Sequence, residues 1–180
     1  MKLEVRFGGS GGQGVVLAAR ILGEAAVMDG KNALQTQQYG AEARGSLTKS
    51  EVIISDAKIG FPAVRKSDVL ATMSQEATDK MLKDLKESGT LIVDSSNVAS
   101  VPEVKATVFS LPITETARRT PGGELRANMV MLGAFTRITG VVTRESVEVA
   151  IRGRLSQSAE ANLRAFWAGY EMKPNSRVAT

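Results

Sequence analysis

A chain of 180 residues with 43% hydrophobic and 23% charged side chains has the make-up of one water-soluble domain, long enough to bury a core without staples. It contains no cysteine and no histidine, which excludes disulfides, thiolate zinc and iron–sulfur ligation, cysteine nucleophiles and imidazole acid–base chemistry. The formal charge of +4, from 23 basic and 19 acidic residues, comes without a basic block and with only 4% aromatic residues, so nucleic acid is not an expected partner.

Met1-Lys2 runs straight into a strand-like segment, and no apolar run approaches the roughly 18 residues of a membrane helix. A cytoplasmic location without membrane contact is the expectation. Residues 3–7 alternate apolar and charged, then meet the glycine run Gly8-Gly9-Ser10-Gly11-Gly12-Gln13-Gly14. Residues 15–28 follow, apolar on nearly every side, with Gly30 as a stop. The order is strand, tight turn, buried helix.

A short apolar stretch at residues 33–34 leads into the polar run 35–45, and Val52, Ile53 and Ile54 mark a strand over residues 51–55. The apolar run 68–73 precedes Ser74, an N-cap for a helix over about residues 75–88, with Glu76 and Asp79 in its first turns. Thr78, Met81, Leu82 and Leu85 form its apolar stripe, Lys80, Lys83 and Lys86 its wet face, and Gly89 its end. Residues 90–93 and 106–111 read as buried parallel strands.

Residues 128–139 read as a mostly buried helix capped by Asn128 and stopped by Gly140, and Thr143 caps a short helix carrying Val147 and Ile151. Ala159, Leu163, Phe166 and Tyr170 form the core stripe of a last helix, and the tail from residue 174 is expected to fray. Strands and helices alternate throughout. The expected fold is a single-domain α/β, Rossmann-like structure: a mostly parallel open sheet with helices on both faces over residues 1–171, then a tail over 172–180.

Three segments could carry chemistry. Gly9, Gly11 and Gly14 have dinucleotide-type spacing between a strand and a helix, where glycines let a phosphate approach the N–H groups of the helix start. The same turn could serve only strand–helix packing, or face another subunit. No acidic residue stands where a second strand would hold a ribose, since Gln35, Gln37 and Gln38 occupy that region and Asp29 comes too early; no Gly-Lys-Ser/Thr follows the glycines.

The second segment, residues 35–46, holds Tyr39, Glu42 and Arg44 and is expected at the carboxyl edge of the sheet beside the glycine turn. Its plainer reading is a solvated Glu42–Arg44 pair with Tyr39 covering an edge. The third segment places Arg118 and Arg119 ahead of Gly122-Gly123, where guanidinium groups could grip phosphates or carboxylates or could simply be solvated. No catalytic or metal-binding set is visible: Ser95 and Ser96 lack a base, and no paired carboxylates share a site.

In combination, the Gly-Gly-Gln-Gly turn ending at Gly14, the Tyr-Gly-x-Glu-x-Arg-Gly run from Tyr39, the stretch Asp68-Val69-Leu70-Ala71-Thr72-Met73-Ser74 and the stretch Asn128-Met129-Val130-Met131-Leu132-Gly133-Ala134 resemble the gamma subunit of the 2-oxoacid:ferredoxin oxidoreductases. Gln35-Thr36-Gln37-Gln38-Tyr39-Gly40 is more similar to the 2-oxoglutarate branch than to the pyruvate branch, while Ser46-Leu47 departs from the family's usual small residues after Arg44-Gly45.

The resemblance implies a non-catalytic accessory domain in a complex that oxidatively decarboxylates a 2-oxoacid, joins the acyl group to coenzyme A and passes electrons to ferredoxin. It implies alpha and beta partner subunits, with a ferredoxin-like delta subunit in some complexes. Thiamine diphosphate and iron–sulfur clusters would then sit on partners, with no cofactor held by this chain alone. On this view Gly9, Gly11, Gly12, Gln13 and Gly14 form a cofactor-facing turn, and Tyr39, Glu42, Arg44, Arg118 and Arg119 contact another subunit or coenzyme A. The competing readings are a stand-alone nucleotide-binding Rossmann-like module and a purely structural interaction subunit.

Overall fold

The computed structural model describes residues 1–40, 46–173 and the backbone of 176–178. The alternating stretch and glycine run form strand β1 (Lys2–Ser10), and the apolar segment after it forms helix α1 (Val15–Met28). Strands β2 (Asn32–Tyr39) and β3 (Leu47–Ser55) follow, then β4 (Ser67–Thr72), helix α2 (Gln75–Met81) and β5 (Leu85–Asp94). Strand β6 (Thr107–Leu111) leads to helix α3 (Ile113–Arg118), and helices α4 (Ala127–Thr139), α5 (Arg144–Arg154) and α6 (Ala159–Tyr170) precede a short last strand, β7 (Ser176–Val178).

The seven strands lie in the order β2-β3-β1-β4-β5-β6-β7. Pairings β1–β4, β4–β5 and β5–β6 are parallel, and β3 is antiparallel to both of its neighbours, β1 and β2. Five strands therefore run one way, and only β3 and β7 oppose them. This is the expected mostly parallel α/β sheet.

Strand alternation sends Val5 and Phe7 to one face and Arg6 and Gly8 to the other. The first face is buried under α1 and α4, with α5 and α6 packed outside, and the Phe7 and Phe135 rings lie 5.3 Å apart between centroids. The opposite face is covered by α2, where Leu70, Leu91 and Val93 pack with Ala77 and Met81. Helix α4 is buried on nearly all sides because it is sandwiched between the sheet and α6, and its Gly133 and the Gly169 of α6 let the two backbones touch.

Four expectations need correction. The polar run from Gln35 is not a loop up to Tyr39 but the second half of β2. As the outermost strand β2 needs few apolar side chains, and its glutamines find polar neighbours, as in the 2.9 Å bond from Gln35 Nε2 to Ser50 Oγ. The helix from Gln75 stops at Met81, passes through a 3₁₀ turn (Leu82–Asp84) and enters β5 at Leu85. Here Lys86 is drawn to Asp68 at 2.6 Å, while the register skips from Ser67–Leu85 to Val69–Thr90.

Asn128 is the second residue of α4, not its cap. Residues 176–178 of the tail do not fray but pair antiparallel with β6, which leaves β7 rather than β6 at that edge.

Two buried or half-buried polar clusters fasten the layers. Arg6, 3% exposed, sits on the α2 face and gives Nε to Glu51 at 2.9 Å, Nη1 to Asp84 at 3.0 Å and Nη2 to the Val64 carbonyl at 2.9 Å. Asp29, just after α1, accepts from the Thr143 N–H and hydroxyl, both at 2.7 Å, and from the Ser146 hydroxyl. It thereby pins the start of α5, which Thr143 caps.

Burial raises the Asp29 carboxyl, but the hydrogen bonds from Ser146 and Thr143, with Lys31 nearby, hold it below its ordinary value. A depressed folded-state pKa contributes stability that is present above the unfolded value and lost as pH falls through the folded one. Asp29→Asn should therefore cost about 1 kcal/mol at neutral pH. The difference from wild type should close below about pH 4 in denaturant melts taken as a function of pH. A gap independent of pH would show that the charge is not what holds α5.

Candidate functional site

The glycine turn sits where β1 ends and α1 begins. Gly14 has φ 73°, in the left-handed region, and serves as the N-cap of α1 with no side chain to cap it. A Cβ there would overlap Asn128 Nδ2 and stand 2.8 Å from Asn128 Cγ. That side chain instead donates 3.1 Å to the Gly14 carbonyl and accepts from the Met129 N–H. Asn128 thus ties α4 to the turn, a role that its position at a helix start disguised as capping.

Gln13 is spent internally in the same way. Its Oε1 accepts from the Ser10 N–H at 2.7 Å and its Nε2 donates to the Met73 carbonyl at 2.8 Å, joining the ends of β1 and β4. Gly9 leaves room for this, since a Cβ there would come within 2.6 Å of Gln13 Oε1. The Gly11 N–H donates to the Ser46 carbonyl at 2.8 Å and the Gln13 N–H to Ser10 at 3.1 Å. Gly12, with open space around it, faces outward, and the N–H groups of Gly12 and Gly14 have no acceptor among the described residues.

Because β3 runs between them antiparallel to both, β1 and β2 point the same way and end on the same edge. Tyr39, 60% exposed, therefore comes out beside the glycine turn, and the Gly40 N–H donates to Leu47 at 2.9 Å. The Gly11–Ser46 bond joins the far end of this connection to the turn. Glu42 and Arg44 lie outside the described residues. The insertion of β3 also separates β1 from β2, so the paired β–α–β unit that holds a dinucleotide is absent, in keeping with the missing ribose acid.

Asp94, fully buried at the end of β5, accepts from the Ser96 and Thr114 N–H groups at 3.1 Å each and from Asn97 Nδ2 at 2.8 Å. It locks the loop after β5 to the start of α3, a brace whose oxygens are hydrogen-bonded. Arg118 and Arg119, at the end of α3, pair with Glu124 and Glu115 on the exposed surface. They are not brought into contact with the glycine turn. Among the described residues no three carboxylates cluster to hold a metal ion, and no helix is long and apolar enough to cross a membrane.

The arrangement offers an edge where two N–H groups lack an acceptor among the described residues and an aromatic side chain is exposed. A family model described as pyruvate ferredoxin/flavodoxin oxidoreductase matches residues 4–172. The 2-oxoglutarate synthase subunit KorC of Methanocaldococcus jannaschii is 48% identical over 176 residues, which cover 96% of this chain and 94% of that one. The pyruvate synthase subunit PorC of Methanothermobacter thermautotrophicus is 32% identical, with 98% of each chain covered. Among solved structures, the gamma subunit of the keto/oxoacid ferredoxin oxidoreductase of Geobacter sulfurreducens aligns with TM-score 0.83 at 45% identity, covering 94% of this chain and 96% of that one.

Proposed function

We propose, for a chain that belongs to the pyruvate ferredoxin/flavodoxin oxidoreductase family and is a gamma-type subunit of a 2-oxoacid:ferredoxin oxidoreductase, that it supports the coenzyme A-dependent oxidative decarboxylation of 2-oxoglutarate. In that reaction the 2-oxoacid loses carbon dioxide, its acyl group passes to the coenzyme A thiol, and two electrons leave for ferredoxin. The choice of 2-oxoglutarate follows the names of three relatives at 48, 44 and 43% identity, which are 2-oxoglutarate synthase subunits.

The chain has neither cysteine nor histidine, so its donor set does not fit an iron–sulfur cluster. Clusters and thiamine diphosphate belong, on this reading, to alpha and beta subunits and a ferredoxin-like delta subunit. The part left to this chain is to close an edge of the active site. The carrying observation is the glycine turn: Gln13, Asn128 and Ser46 brace it from within, and the N–H groups of Gly12 and Gly14 have no acceptor among the described residues. Free N–H groups at a helix start suit a phosphate of coenzyme A or a carbonyl of the catalytic subunit, and on this reading Tyr39, Glu42, Arg44, Arg118 and Arg119 add to that contact.

Anaerobic purification of the tagged chain from its native cytosol should bring down thiamine- and cluster-binding subunits, and the complex should reduce ferredoxin faster with 2-oxoglutarate than with pyruvate. In that complex Tyr39→Ala and Arg44→Ala should each raise the KM for coenzyme A or weaken assembly by about tenfold. Recovery of the chain alone at several salt concentrations, with tight binding of a free nucleotide, would overturn the reading in favour of a separate nucleotide-binding module.

A further inference from the structure

The 3₁₀ turn Gly123–Arg126, between α3 and α4, presents two side chains for which the site above has no use. Leu125 is 85% exposed, the most exposed large apolar side chain among the described residues. Next to it, the Arg126 guanidinium lies against Gly122, where a Cβ would collide with it and stand 2.8 Å from its Nε. Gly122, at φ 92°, is the residue type that this conformation allows, and its missing side chain leaves the room that the guanidinium occupies.

The charge at this turn is unbalanced in one place. Arg118 is matched by Glu124 and Arg119 by Glu115, but Arg126 has no carboxylate and its buried Nε has no acceptor among the described residues. A buried donor without an acceptor is uncommon in a finished interior. The Gly123 N–H, donating to the Thr120 carbonyl at 3.0 Å, and the Arg118–Glu124 pair across the turn hold the knob in shape before anything meets it. Two residues later Asn128 grips the Gly14 carbonyl, so the knob stands on the same edge as the glycine turn.

We propose that Leu125 and Arg126 are the anchor by which this chain docks on the catalytic subunit, Leu125 entering an apolar socket and a carboxylate of that subunit closing on Arg126. The inference rests on the reading of the chain as a gamma-type subunit. Arginine is enriched at protein interfaces and apolar side chains fill their cores, so an exposed leucine beside an arginine that lacks a carboxylate suits one. The occupant's chemistry follows from what the turn lacks: an apolar surface for Leu125 and a negative charge for Arg126. A phosphate would satisfy only the second. Were two copies to pair turn against turn, the nearest carboxylate, Glu124, would already be engaged by Arg118.

The test uses the assembled complex, formed by co-expression with the partner subunits, and the dissociation constant of this chain from it. Leu125→Asp and Arg126→Gln should each weaken association by about tenfold or more. Arg126→Lys should fall between, because an ammonium cannot make the forked contact, and Lys105→Ala, at an exposed pair with Glu87, should leave association unchanged. Leu125→Asp should leave the melting temperature of the free chain where it was, which separates docking from folding. A photo-crosslinking side chain at position 125 should capture the catalytic subunit.

Unchanged association of Leu125→Asp would overturn the anchor, and so would capture of a second copy of this chain, or a raised KM for coenzyme A with assembly intact. A wild-type chain that recovers no partner would overturn the reading of the function and the anchor with it. A wild-type complex indifferent to position 125 would overturn the anchor alone.

Discussion

Gly169→Ala is expected to destabilise the chain by about 3 kcal/mol, the upper end of what an overpacked interior costs. Judged by helix propensity alone the same change should stabilise, by about 1 kcal/mol, since alanine is the better helix former. The sign of the result therefore separates the two effects. A Cβ on Gly169 would overlap the Val130 carbonyl oxygen and lie 2.7 Å from its carbon and 2.9 Å from its Cα, all backbone atoms that no rotamer can move aside.

Gly133 makes the reciprocal approach, its would-be Cβ overlapping the Phe166 carbonyl oxygen and lying 2.7 Å from the Tyr170 nitrogen. Gly133→Ala should behave alike. Since α4 also carries Asn128 and hence the brace of the glycine turn, forcing α4 and α6 apart should loosen the site as well. Urea unfolding of the isolated chain would measure the loss; a midpoint equal to or above the wild type would mean that the helices are not packed backbone to backbone.

Arg6→Ala should cost a further large amount, about 3–5 kcal/mol, because removal of one member of a buried charge set strands the others. Glu51, 7% exposed, would keep only Lys49 at 3.2 Å, and the Val64 carbonyl would lose its donor. The double variant Arg6→Met, Glu51→Leu should recover most of that loss, since apolar groups of similar volume avoid the desolvation cost. Thermal and denaturant melts of the single and double variants would decide. A single variant within about 1 kcal/mol of wild type would show that water reaches this pocket and screens it.

What could be read from the residues was whatever local pattern controls. The glycine run followed by an apolar segment specifies β1, the turn and α1, and Ser74 caps α2 as expected through its bond from the Ala77 N–H. Arg6 shows the opposite case. In an alternating strand it has the look of a solvent-facing residue, and only the arrival of α2 and of Glu51 from β3 puts it in the interior. The second half of β2 was hidden because an edge strand need not alternate, and the helix from Gln75 was overextended because Leu85 suits a helix stripe and a buried strand equally.

At the site, Gln13 and Asn128 were recognisable as polar residues near glycines. That both spend their side chains on backbone carbonyls, those of Met73 and Gly14, is decided by strands and helices far along the chain. Arg126 stands in the same run, residues 118–128, as the more conspicuous Arg118-Arg119 pair, and only contacts between elements distinguish it as the one of the three without a carboxylate among the described residues.

The antiparallel placement of β3 has one further outcome. Because β2 and β3 are paired without a slip from Asn32–Ser55 to Tyr39–Thr48, the segment joining them can lengthen, shorten or change its residues while the ladder stays in step, at an entropic cost that grows only with the logarithm of its length. A scaffold built this way keeps its inherited core and exchanges its fingertips. The edge beside the glycine turn can thus vary after Tyr39 while the helices and the remaining strands stay as they are.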